Sequence, residues 1–156
     1  MKIGQSERRI LDVLQRDGRI SNVLLAEAAG ISESPCLRKT RALEESGIIE
    51  GYKAVLSPRK IGLNVSAYIL VNLDQRSETI TNEFFDALQG EPRVTECVAL
   101  TGSHDLLLKV VARDIDDLAE LTMGGILSFD SVKDISSCIV LKAIKPPAPL
   151  PVDSRG

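Results

Sequence analysis

Apolar residues recur every three or four positions through the first 45 residues of the chain, and every second position through most of the rest. The first period predicts helices and the second predicts strands, because helical neighbours on one face lie three and four apart while a strand alternates its faces. Ile10, Leu11 and Leu14, broadened by Val13, predict a helix over residues 6–16, with Ser6 as its cap and Asp17 and Gly18 as its stop. Leu24, Leu25, Ala28 and Ala29 predict a second helix, capped by Ser21 and ended at Gly30. A third starts at the cap Ser32 and holds Pro35 in its first turn, where a missing N–H costs little. Its inner side is Cys36, Leu37, Thr40 and Leu43, and Gly47 supplies a left-handed stop. Ile31 anchors the turn before it, and Ala26 and Gly30 are small enough for two helices to cross steeply. This is the pattern of a helix-turn-helix. Two β-like runs around Gly51, from Ile48 to Leu56, predict a small hairpin, or wing, with Tyr52 capping the head's core or, with Lys53, touching a phosphate backbone.

The second half alternates. Strands are predicted over residues 65–73, 94–100, 106–112 and 132–144. One helix is predicted over 78–88, capped by Ser77 and packing Ile80, Phe84, Phe85 and Leu88. Another is capped by Asp114 and runs from Ile115 toward Leu127, with a bend or an end at Gly124 and Gly125. The order β-α-β-β-α-β is the ferredoxin-like unit. The expected architecture is therefore α+β, in four parts. These are a winged head over 1–56, a linker over 57–64, a ferredoxin-like domain over 65–145 and an extended, proline-rich tail over 146–156. Helices cover one face of such a sheet, and an apolar second face implies a partner subunit.

Charge sharpens this division. The chain of 156 residues has net charge −3, yet residues 1–60 carry 11 Lys+Arg against 8 Asp+Glu, and the remainder carries 8 against 14. A basic head on an acidic body fits a DNA-binding module joined to a sensing or assembly domain. The outer face of the third helix carries Ser34, Arg38, Lys39, Arg41 and Glu45. The start of a recognition helix is the part that enters a major groove, and arginine's planar fork suits guanine edges and phosphates. The alternative for such a charge cluster is a solvated surface.

Other chemistry is sparse. No apolar run is long enough to span a membrane, and the N-terminus lacks a signal peptide's apolar core, so a cytoplasmic protein is expected. Cys36, Cys97 and Cys138 are expected to be reduced core residues. With a single histidine, His104, no metal site or catalytic group is expected, and no cofactor.

Three stretches carry a resemblance to a known family. They are ILDVLQRDGRIS at 10–21, LAEAAGIS at 25–32 and SPCLRKTRALEESGIIEGYKAVL at 34–56, continued by SPRKIGL at 57–63. They resemble the Lrp/AsnC family of prokaryotic transcription regulators. VTECVALTGSHDLLLKVVA at 94–112 is similar to that family's strand, Gly-x-x-Asp turn and strand. The resemblance implies double-stranded DNA as partner, with Ser32, Ser34, Pro35, Arg38, Lys39 and Arg41 in the recognition-helix positions. It also implies homodimers through the C-terminal sheets, octamers of four dimers, and a small-molecule effector, commonly an amino acid. Gly102 and Asp105 occupy the Gly-x-x-Asp positions. The turn with Ser103 and His104 offers N–H donors and an acceptor for a zwitterion, and Ser136 and Ser137 are expected to complete the site; the alternative is that Gly102 and Asp105 only make the turn, Asp105 accepting its N–H bonds. Two other readings compete: a DNA-architectural protein without effector, and a subunit resembling siroheme decarboxylase, which the lone histidine fits poorly.

Overall fold

Helix α1 (Gln5–Leu14) buries Ile10 and Leu11, α2 (Asn22–Ala29) buries Leu25, Ala26 and Ala29, and α3 (Glu33–Glu45) buries Cys36 and Leu43. These seven side chains are one core. The computed structural model describes residues 3–74 and 78–152; the expected cap Ser77 lies outside them. The chain forms two units, Met1–Val55 together with Lys145–Gly156, and Leu56–Ile144.

The head's helices lie where periodicity predicts and α1 turns its predicted face inward, but α2 and α3 bury partly different rows. Leu24 and Leu37 are 54% and 42% exposed, and Ala28 is exposed, because the buried rows run through Leu25–Ala29 and Cys36–Leu43 instead. Ser6 does not cap α1; Gly4 holds that position, and the Ser6 hydroxyl donates to Glu7. Ser21 does cap α2, accepting from Leu24 N at 3.4 Å. Ser32 is the N-cap residue of α3 but its hydroxyl makes no capping bond. The third helical residue is Pro35, which has no N–H to offer it. Gly30 closes α2 with φ 65°, a conformation that a Cβ would strain.

The expected wing hairpin does not form among the described residues. After α3 the backbone turns at Gly47, and both Ile48 N and Ile49 N donate to Leu43 O, at 3.0 and 3.1 Å. Ile48 and Ile49 thereby pack on the head core, and residues 50–57 continue without strand pairing. Tyr52 is not a core lid. It is half-exposed, and its hydroxyl donates to Glu44 Oε1 at 2.9 Å.

The second unit is a four-stranded antiparallel sheet of β1 (Val65–Leu73), β2 (Val94–Ala99), β3 (Leu106–Ala112) and β4 (Val132–Ile139), in the order β2-β3-β1-β4. Helices α4 (Glu78–Gly90) and α5 (Ile115–Ala119) complete the ferredoxin-like fold. One face carries Ala67, Ile69 and Val71 of β1 beside Leu106, Leu108 and Val110 of β3, and is buried under Phe84, Leu88, Leu118 and Leu121. Ile80 of α4 is exposed instead of packing there. Beyond α5 the chain winds into a π-helical turn, Glu120–Gly125, and a 3-10 turn, Ile126–Ser128. Two consecutive glycines cannot hold α-helical geometry cheaply, since each costs about 1 kcal/mol against alanine. Strand β4 ends at Ile139, five residues short of the expected end.

Candidate nucleic-acid interface and ligand site

The recognition helix is fixed from both sides. Asn22 Nδ2 donates to Glu33 O at 3.1 Å, tying α2 to the first turn of α3, and Thr40 Oγ1 donates back to Cys36 O at 3.0 Å. Burial under the head raises the pKa of the Cys36 thiol, so it packs as an inert apolar group. With Cys36 and Leu43 inward, Ser32, Ser34, Arg38 and Arg41 are exposed and Pro35 is half-buried. Among the described residues Arg38 and Arg41 have no hydrogen-bond or ion-pair partner. Lys39 differs: it lies half-buried beside α1 and forms an ion pair with Glu7. The Lys39 ammonium holds the Glu7 carboxyl below the usual carboxylate range.

The second candidate site is the turn between β2 and β3. Leu100 N donates to Asp105 O at 2.8 Å, and Asp105 N donates to Val71 O at 3.0 Å. The Asp105 carboxylate accepts from Leu73 N through Oδ2 at 2.8 Å, fastening the turn to the end of β1. Gly102 takes φ 124°, with open space where a Cβ would stand, so backbone conformation selects glycine there. The N–H groups of Gly102, Ser103 and His104 make no hydrogen bond among the described residues, and the buried His104 Nδ1 has no partner.

Ser136 and Ser137 cannot both complete this site. They are consecutive on β4, so their side chains leave opposite faces of the sheet. Ser136 pairs with Leu70 and Ser137 with Ile69, both across β1 from β3. Cys97 and Cys138 are exposed, not core; each stands on an edge strand of the sheet. One functional-looking cluster escaped sequence reasoning. Asp117, at the start of α5, is buried and accepts from Arg93 Nη1 at 2.9 Å and from the Arg113 backbone N at 2.8 Å. Arg113 and Arg93 hold its carboxyl well below the usual range, and Glu91 completes the network through Arg93 at 2.8 Å. The visible signal was Asp114 followed three residues later by Asp117, which bonds its own cap: Asp117 N donates to Asp114 Oδ1 at 2.8 Å.

A three-helix head with an exposed basic third helix, followed by a ferredoxin-like sheet, defines a DNA-binding regulator with a ligand-binding domain. Residues 5–50 match the winged helix-turn-helix DNA-binding model, and residues 66–150 match the Lrp/AsnC ligand binding domain. The chain belongs to the Lrp/AsnC family of transcription regulators. It is 32% identical to the transcriptional regulator AzlB of Bacillus subtilis over 97% of this chain and 96% of that protein. It is also 32% identical to the leucine-responsive regulatory protein of Escherichia coli, over 96% of this chain and 91% of that one. A transcriptional regulator of Neisseria meningitidis, solved in complex with L-methionine, superposes with a TM-score of 0.94 at 36% identity, covering 97% of this chain and 98% of that one. No helix among the described residues is long and apolar enough to cross a membrane.

Proposed function

We propose that this chain is a sequence-specific, effector-responsive regulator that reads double-stranded DNA through α3. The observation that carries the reading is the pair Arg38 and Arg41, exposed and unpartnered among the described residues on the second helix of the motif. Two long cations held free of internal partners are poised for phosphates or base edges. Ser32 and Ser34 add hydroxyls near the start of the helix, and the uncapped Ser32 hydroxyl has no competing bond in the cap. Lys39 acts mainly by fixing the helix to α1 through Glu7. Mobility-shift titration against DNA from upstream of the chain's own gene tests this. Specific binding that survives both Arg38→Ala and Arg41→Ala overturns it.

The effector in this reading is a small amino acid, as in the methionine-bound Neisseria relative. The unpaired N–H groups of residues 102–104 suit a carboxylate. Asp105 spends Oδ2 on Leu73 and keeps its other oxygen for an ammonium. The uncovered sheet face, where Tyr68 and Leu70 of β1 stand beside Leu107 of β3, suits a second copy of the chain. Exposed apolar surface of this kind is what a dimer buries, and dimers of that kind are the units of an octamer. Calorimetry with the twenty amino acids on wild type and Asp105→Asn decides the effector. The asparagine keeps an acceptor for Leu73 but removes the charge. Heat with one amino acid that is lost in the variant supports the site. No heat from any of them leaves a DNA-binding protein of the architectural kind.

A further inference from the structure

We propose that residues 150–152 form a clasp on the DNA-binding head and that this clasp secures the end of the recognition helix. Gln15 follows the last residue of α1, and both the nitrogen and the oxygen of its side-chain amide bond to the tail. Its Nε2 donates to Leu150 O at 3.1 Å, and Leu150 N donates to its Oε1 at 2.6 Å. Such a reciprocal pair copies the way two adjacent strands exchange bonds. Leu150 stands between Pro149 and Pro151, so it carries the only N–H of those three residues. Val152 is half-buried and packs against the head core. Together the three residues wall one side of an apolar hollow of about 740 Å³, whose other walls include Leu11, Leu14, Ile48 and Ile49.

That hollow matters because of what Ile48 and Ile49 do. Their two N–H groups converge on the carbonyl of Leu43, the last buried residue of α3, and hold the helix end to the core. Without the tail, Leu14, Ile48 and Ile49 would border open solvent, and the fastening would fray. Prolines 146, 147, 149 and 151 stiffen the segment, so docking it costs less chain entropy than a flexible tail would. The segment is also the direct continuation of the chain after β4, so any change that draws on residues 140–149 acts on the clasp. One wall of this hollow is thus the chain's own C-terminal segment, and its release loosens the recognition helix.

The test uses full-length Val152→Asp and Gln15→Ala, which leave α3 and the sheet unaltered. Amide hydrogen exchange at Ile48 and Ile49 is expected to quicken roughly fivefold in both, while amides in β1 and β3 hold their wild-type rates. Operator affinity is expected to fall several-fold in parallel. Unchanged exchange at Ile48 and Ile49 in both variants overturns the clasp, whatever the DNA result. Faster exchange with full affinity overturns the link to α3. The exchange arm needs no DNA, so it stands apart from the proposed function, on which only the affinity arm rests.

Discussion

The third helix and the β2–β3 turn look equally functional in sequence, since both place charged and small polar residues at a bend. They use those residues in opposite ways. In α3, Arg38 and Arg41 have no internal partner among the described residues, so their charge is free for another molecule. In the turn, one Asp105 oxygen is already committed to Leu73 N, and the residue's own N–H and C=O are bonded to Val71 and Leu100. A charged group with an internal partner is first a structural part; only what it leaves unpaired can serve recognition. Lys39 follows the turn's pattern although it sits in the helix, because Glu7 takes its charge.

This contrast can be broken by substitution. The largest effect is expected from Arg38→Ala: about 1–3 kcal/mol lost from specific DNA binding if it reads a base edge. Thermal unfolding of that variant is expected to stay within about 0.5 kcal/mol of wild type. A large loss of stability would show that Arg38 is as structural as Asp105. Asp105→Ala is expected to do the converse, destabilising the sheet domain by about 1–3 kcal/mol, because Leu73 N loses its acceptor. Denaturant unfolding checks it, with unchanged DNA affinity per folded molecule as the sharper outcome. Lys39→Ala should cost the head about 0.5–1 kcal/mol of stability, as a partly exposed pair allows. If its only effect is on DNA binding, the Glu7 pair is incidental.

Acid should separate the same two classes by the smallest effect. Glu7 has its carboxyl held below 4.5 by Lys39 in the folded head. A carboxyl lowered on folding stabilises the fold above its unfolded value, and that contribution is lost as pH falls below about 4.5 through the folded one. Head unfolding followed between pH 6 and about 3 should therefore show a stability loss that is absent in Glu7→Gln.

Helix and strand positions were legible in the sequence because periodicity reports them directly. What periodicity does not report is rotation by one residue. Leu24 and Leu25 are equally apolar, and only the three-dimensional crossing of α1, α2 and α3 selects Leu25 for the core. No wing follows α3 among the described residues: Ile48 and Ile49 resemble a strand, but their N–H groups serve Leu43 O instead of a partner strand. The Gly-x-x-Asp spacing marks a turn, but strand alternation sends Ser136 and Ser137 to opposite faces of β4. The Arg93–Asp117–Arg113 cluster and the Gln15–Leu150 pair unite residues far apart in the chain, and no local pattern announces such meetings.

The Gln15–Leu150 pair spans 135 residues and sets the order in which the molecule can be finished during synthesis. The three head helices are local and can pack soon after they emerge. Yet the residue that engages Gln15 is made only after every strand of the sheet. On this account a nascent head stays incomplete until translation has delivered the whole regulatory domain. A prematurely ended chain would then carry a head with an open hollow, a poorer binder of operators than the full-length protein it would compete with.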